Sequence, residues 1–213
     1  MTEAVVFDLD GVLLQSEEVW DAVRERYVRE RGGRYDEDVQ RAMMGMSAPE
    51  WSRFLHEEAG VPDDVDEINS EVVRRMLAAY RQRLPLLPGA VAAVQRTADA
   101  FPLALASSSN REVFEEVLEL AGIADCFSAT VSSEEVERGK PAPDVYLEAG
   151  RRLGVDPTRC AAVEDSHAGI RSAKAAGMRV VAIPNAAYPP DEEAVELADV
   201  VVRSLDELTV DVL

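Results

Sequence analysis

Six short apolar runs punctuate the chain, at residues 4–8, 103–107, 129–132, 161–164, 179–183 and 200–202. They are rich in Val, Ala and Ile and lack polar alternation, the pattern of strands covered on both faces. Between several of them the apolar positions follow the helical period. Helices are expected over 111–121, 143–153 and 167–176, each with a glycine (Gly122, Gly154, Gly177) where the chain leaves the helix. Alternating strands and helices predict an α/β fold, a parallel sheet with helices on both faces.

Residues 16–83 break this rhythm, with helical periodicity and no convincing strand. Ser16 is expected to cap a helix running to Arg31, ahead of Gly32-Gly33. Ser47-Ala48-Pro49-Glu50 reads as a capping box opening a second helix to Ala59. A third helix is expected over 66–83, after which Pro85 and Pro88 mark the return to the sheet. The predicted organisation is a core domain of residues 1–15 and 84–213 interrupted by an all-helical domain of residues 16–83.

Composition narrows the function. The 213 residues are 47% hydrophobic and 30% charged, which suits a globular protein and excludes a disordered or collagen-like chain. With 22 basic and 41 acidic residues the net charge is −19, which opposes binding to nucleic acid or to an anionic membrane. No apolar run approaches the ~20 residues that span a bilayer. The N-terminal residues show no export signal, and Cys126 and Cys160 have no metal-ligand spacing, so a reducing cytoplasm is expected. The helical segment carries 11 basic and 16 acidic residues against 11 and 25 elsewhere. It is the less acidic part, as a lid over an anionic substrate would be. Only two lysines occur, Lys140 and Lys174.

Four places hold candidate chemistry. Asp8 and Asp10, in Phe7-Asp8-Leu9-Asp10-Gly11, sit two residues apart at the end of an apolar run, so the strand period would point both off the sheet edge. Asp-Gly is equally a common turn. Ser107, Ser108, Ser109 and Asn110 join a strand to a helix, where hydroxyls and free N–H groups bind anions or simply cap the helix. Lys140, in Gly139-Lys140-Pro141-Ala142-Pro143-Asp144, precedes a proline-started helix and offers a point charge to a phosphate, or to solvent. Glu164 and Asp165 follow an apolar run and suit a hard cation such as Mg2+, or the N-terminus of the next helix.

In this order, each at a strand end, these segments resemble the four motifs of the haloacid dehalogenase-like (HAD) hydrolase superfamily. The helical insert resembles that family's small cap, and the likeness covers essentially the whole chain. It is similar to the branch holding β-phosphoglucomutase, phosphoglycolate phosphatase and small sugar phosphatases. The resemblance implies a Rossmann-like core and a Mg2+-dependent phosphatase acting on a small phosphorylated metabolite such as a sugar phosphate; a cytoplasmic monomer is expected. It implies Asp8 as nucleophile and Asp10 as general acid and base. Ser107, Ser108 and Lys140 would hold the phosphoryl oxygens. Asp8, the Asp10 carbonyl and Asp165 would hold Mg2+, with Glu164 as a further direct ligand or in support behind them.

The chain departs from that pattern in three places. Gln15 stands where the branch has Asp, at the entry to the cap. Trp20 stands where mutase members carry His, and Ala48 where they carry Arg, with Arg53 one turn further on as a substitute. Trp20, Trp51, Met43, Met44 and Met46 read mainly as cap core, while the turn Met44-Gly45-Met46-Ser47, with Arg53 beyond it, could still present specificity contacts. His167 reads as structural or supporting, His56 as solvated and Lys174 as a surface helix residue. The alternatives are a phosphomutase, a dehalogenase, which needs neither Asp10 nor Asp165, and a non-catalytic module, which would have lost a site residue.

Overall fold

The structure, a computed structural model, describes residues 1–43, 46–185 and 189–213. In chain order it builds β1 (Ala4–Phe7), α1 (Glu17–Glu30), α2 (Glu37–Met43), α3 (Ala48–Glu57), α4 (Val65–Gln82) and α5 (Ala90–Ala98). There follow β2 (Leu103–Ser107), α6 (Arg111–Ala121), β3 (Phe127–Ser132), α7 (Asp144–Leu153) and β4 (Cys160–Glu164). The chain closes with α8 (His167–Ala175), β5 (Arg179–Ala182), α9 (Glu192–Leu197) and β6 (Val200–Val201).

All strand pairs are parallel and the sheet order is β3-β2-β1-β4-β5-β6. β1, β2 and β4 are buried along their whole length, which is why their sequences show no alternation. The side chains still divide by face. Val5, Phe7, Ala161 and Val163 join one apolar cluster, and Ala4, Val6, Cys160 and Ala162 join the other, packed with α7 and α8. From β1 the chain steps outward through β2 and β3, then crosses back to β4 and steps outward the other way. The order therefore reverses between β1 and β4, and a crevice opens beyond their carboxyl ends.

Residues 17–82 carry α1 to α4 and, among the described residues, no strand. Their core is built from Tyr27, Trp51, Leu55, Ile68, Val72, Met76 and Tyr80. The two crossings to and from this segment run side by side. Leu14 and Leu86 form an antiparallel bridge, Gln15 N–H donates to the Pro85 carbonyl at 2.8 Å, and Leu87 N–H donates to the Leu13 carbonyl at 2.9 Å. Further contacts tie α4 to α6: Arg81 forks onto Glu116 at 2.6 and 2.9 Å, and Asn110 Nδ2 donates to Asn69 at 3.1 Å.

Several expected details differ. Ser16 does not cap α1 with its side chain, because its own backbone is already helical (φ −90°, ψ −23°) and its hydroxyl cannot reach the first turn's N–H groups. The Ser47 box does form, with the Ser47 N–H and hydroxyl donating to Glu50 at 2.7 and 2.6 Å. Asn110 precedes α6 without a side-chain cap bond; Glu134 accepts the Arg111 N–H in its place at 3.0 Å. Helices α2, α5 and α9 add to those expected. Lys174, a surface residue of α8, pairs with Asp199 at 3.0 Å. Met44 and Gly45 of the expected specificity turn lie outside the described residues. Among the described residues no helix is long and apolar enough to cross a membrane.

Candidate active site

The sheet ends bring all four sequence segments to one crevice. Asp8, Asp10, Glu17, Ser108, Lys140 and Asp165 share the wall of a cavity of about 170 Å3, with His167 and Asn185 beside them. Asp8 is the first residue past β1, and its N–H still donates to Val163 of β4 at 3.0 Å, so the sheet itself fixes it. Asp10 arrives differently from the expected strand alternation. The strand has ended, and a turn closed by Leu13 N–H to Leu9 O at 2.8 Å swings Asp10 back toward the cavity. Leu9 goes into the core. Gly11 makes that turn at φ +85°.

Lys140 is the hub. Its Nζ donates to Asp8 Oδ1 at 2.7 Å, to Glu164 Oε1 at 2.6 Å and to the Ala106 carbonyl at 3.1 Å. Its ammonium lies 5.0 Å from the Tyr146 ring, and the Tyr146 hydroxyl donates to the same Glu164 oxygen at 2.6 Å. Glu164 Oε2 accepts the Asp165 N–H at 3.1 Å and the Ser166 hydroxyl at 3.3 Å. Both Glu164 oxygens are therefore committed, and the side chain is fully buried. Gly169 lets it fit, since a Cβ there would overlap the Glu164 carboxylate.

Asp165 and Asp10 are held less completely. Asp10 Oδ2 accepts the Ser109 hydroxyl at 2.6 Å, while Asp10 Oδ1 and Asp165 Oδ1 are buried with no hydrogen-bond partner among the described residues. One oxygen each from Asp8, Glu164 and Asp165 lies within 4.8 Å of the others. One ammonium faces three carboxylates. Burial pushes the Asp8 carboxyl up to about 8, against the pull of Lys140 and with the charges of Glu164 and Asp10 adding to the rise. Burial, then Glu164 and Asp8, hold Asp165 well above the usual carboxylate range. Burial disfavours the Lys140 charge, but Asp8 and Glu164 outweigh it and keep its pKa raised. The site is short of positive charge, and an orphaned carboxylate oxygen marks where a hard cation would be satisfied. Asp8 and Asp165 suit such a cation directly; Glu164, its oxygens already engaged, suits a supporting role.

The two serines named from sequence separate. Ser108 lines the cavity. Ser107 is fully buried at the end of β2, where its Oγ accepts the Ser109 N–H at 3.0 Å. Sequence reasoning did not anticipate Glu17, Tyr146, Asn185 or Arg24 near the site. Glu17 and Arg24 are three residues before and four after Trp20, so that spacing could have placed all three on one face of a helix. Arg53 is exposed on α3, and Arg24 instead lines a second cavity that continues from the first past Asp10, Glu17 and Ser108.

Gly11→Ala tests how tightly this geometry is built. A Cβ at Gly11 would overlap the Asp165 carboxylate, and the left-handed backbone there costs a non-glycine residue roughly 1–2 kcal/mol. The variant is expected to melt several degrees lower and to lose most of its activity. An unchanged melting temperature and rate would show that the turn is not needed.

The chain also resembles known proteins. A family model described as haloacid dehalogenase-like hydrolase matches residues 2–177. Hexitol phosphatase B of Escherichia coli (strain K12) is 34% identical over 212 residues, covering 97% of this chain and 94% of that enzyme. The bifunctional riboflavin kinase/FMN phosphatase of Arabidopsis thaliana is 34% identical over 207 residues, 96% of this chain, and the chain spans 54% of that protein's length. The crystal structure of a CbbY variant from Rhodobacter sphaeroides, in complex with xylulose-1,5-bisphosphate, matches with a TM-score of 0.87 at 28% identity, covering 98% of this chain and 96% of that one.

Proposed function

This chain belongs to the haloacid dehalogenase-like hydrolases, and from that premise we propose that it is a Mg2+-dependent phosphatase of a small phosphate monoester, a sugar phosphate or similar metabolite. Its relatives are named as phosphatases of phosphorylated carbohydrates and other small metabolites. Support comes above all from the convergence at one sheet edge of Asp8, Asp10, Lys140 and Asp165, with a carboxylate oxygen of Asp165 left unpartnered.

Asp8 attacks the phosphorus, forming an aspartyl-phosphate as the bond to the leaving oxygen breaks. Asp10, steadied by the Ser109 hydroxyl, gives its proton to that oxygen. A water then attacks the phosphorus, Asp10 takes the water's proton, and the bond to Asp8 breaks to release phosphate. Lys140 neutralises charge on the phosphoryl oxygens, and Ser107 and Ser108 hold them by hydrogen bonds. Asp8, the Asp10 backbone carbonyl and Asp165 would hold Mg2+, with Glu164 supporting from behind. The bound ion would supply Lewis-acid neutralisation of the phosphoryl charge. Residues 1–15 and 84–213 form the core domain and residues 16–83 the cap, which closes over the substrate about hinges near Leu14–Ser16 and Arg83–Pro88, the two crossings bridged at Leu14 and Leu86. Transfer goes to water: Trp20 offers no imidazole proton shuttle, and its ring is occupied by the Arg24 guanidinium 4.6 Å away. The enzyme acts as a cytoplasmic monomer.

A screen of phosphorylated metabolites for phosphate release, with Mg2+ and with chelator, tests the assignment. Activity is expected only with the cation, while circular dichroism stays unchanged on chelation. Asp165→Ala is expected to raise the Mg2+ concentration needed for half-activity at least about tenfold. Full activity after exhaustive chelation would reject the metal. For the transfer step, phosphorus NMR of a hexose 1-phosphate with a trace of bisphosphate should show inorganic phosphate. Faster conversion to the 6-phosphate would assign a mutase instead.

A further inference from the structure

The cavity that continues from the phosphoryl site into the helical segment has a volume of about 70 Å3 and is walled by Asp10, Glu17, Trp20, Arg24, Met46 and Trp51, among others. Glu17, Trp20 and Arg24 fall on one face of α1 by their three- and four-residue spacing. Arg24 is unlike its neighbours. Arg26, Arg29, Arg31 and Arg75 each pair with a carboxylate at 2.7–2.9 Å. Arg24 makes no ion pair or hydrogen bond among the described residues, and its Nε is buried without a partner. Its guanidinium carbon lies 4.6 Å from the Trp20 ring and 4.9 Å from the Trp51 ring, and the two indoles are 6.1 Å apart.

Stacking uses the faces of a guanidinium and leaves its in-plane N–H donors free. Those donors suit the two oxygens of a carboxylate or phosphate. Burial lowers the pKa of Arg24, and Tyr35, Glu17, Asp10 and Asp21 offset that only in part. The side chain is half-buried with its Nε shut off from water and unpartnered, and an oxyanion entering the cavity would give that cation its missing anion.

We propose that Arg24 is a specificity-determining residue that binds an oxyanion carried by the leaving group of the substrate. With the phosphoryl group beside Asp8, the leaving group passes Asp10 and Ser108 and meets Arg24 at the far end. The proposal rests on the phosphatase assignment for its orientation, and its test does not require turnover.

Trp20 and Trp51 are the two tryptophans of the chain, so intrinsic fluorescence reports this cavity directly. Three non-hydrolysable probes would be titrated with Mg2+ present: 3-phosphonopropionate, propane-1,3-bisphosphonate and 3-hydroxypropylphosphonate. The protein is expected to bind one of the two anionic probes at least about tenfold more tightly than the hydroxyl probe, as suits a charged hydrogen-bonded pair. Which of the two wins separates a carboxylate from a second phosphate. Arg24→Met should erase the preference while binding of the hydroxyl probe stays within about threefold, because that probe makes no charged pair. Arg24→Lys should keep part of the preference. Equal affinity of the wild-type protein for all three probes overturns the proposal, even if Arg24→Met does not fold. So does a preference that survives in Arg24→Met. In parallel, phosphate release from 3-phosphoglycerate and from glycerol 3-phosphate should show the same charge dependence. If no ester is hydrolysed, the phosphatase assignment falls, while the probe titration still judges Arg24.

Discussion

Asp8→Asn is expected to release phosphate at least about a thousandfold more slowly than the wild-type protein, and to melt no lower. An amide is a poor nucleophile, so the aspartyl-phosphate cannot form. The amide carbonyl can still accept the Lys140 N–H that now reaches Asp8 Oδ1 at 2.7 Å, and the shape of the side chain is kept. Stability is expected to hold because the site does not favour ionisation of Asp8. A carboxyl whose folded pKa is raised to about 8 is bound more tightly to its proton in the folded state. In the cation-free protein, stability contributed by that group falls as pH rises from the unfolded carboxylate range toward about 8. A neutral amide removes this liability at neutral pH. Phosphate-release assays and thermal melts in chelator check both halves. Residual activity above a few per cent, with contamination excluded, would remove Asp8 from the mechanism.

Lys140→Met is expected to cost both activity and about 3–5 kcal/mol of stability, the usual cost of leaving a buried charge without its partner. The ammonium touches Asp8 and Glu164 at 2.7 and 2.6 Å, and all three side chains are almost completely buried. Without it, Asp8, Glu164 and Asp165 face one another with no other cation in contact among the described residues. The cost is electrostatic rather than steric, so Lys140→Met combined with Glu164→Gln should recover much of the stability and none of the activity. Lys140→Arg should also fail, because a planar guanidinium does not fit a site shaped around an ammonium with three acceptors. Urea unfolding at neutral pH in chelator reads the first effect and phosphate release the second. A loss of stability below about 1 kcal/mol would make Lys140 no more than an exposed lysine.

The sheet and the local motifs were legible in the chain because they obey local rules. Apolar runs without alternation gave β1 to β6 to within two residues, and glycines closed α6, α7 and α8 where the backbone needed a left-handed residue or a sharp exit. The short helices α2 and α9 escaped because six or seven residues offer too little periodicity. Helix α5 was hidden behind Pro88-Gly89, although its buried Ala90, Ala93, Val94 and Thr97 keep a helical spacing.

The candidate site divides in the same way. Asp8, Asp10, Ser108, Lys140 and Asp165 could be singled out because acids, hydroxyls and a lysine at strand ends are a one-dimensional pattern. Their partners could not be. Lys140 meets Asp8 across 132 positions of sequence, and Ser109 meets Asp10 across 99, so those bonds exist only after the strands have paired in the order β2-β1-β4. That order also engages both oxygens of Glu164, beside Asp8 and Asp165, and sets Tyr146 behind it. In the helical segment, Arg53 and Arg24 looked alike as letters. Packing of α1 against α3 leaves Arg53 in solvent and closes Trp20 and Trp51 around Arg24. The amino-acid sequence determined which groups are available for chemistry, because residue type and local spacing fix acidity, charge and helical or extended geometry. Tertiary structure alone decided which of them are desolvated, paired or left unpartnered, because burial and long-range contact are properties of the folded chain and not of any window along it.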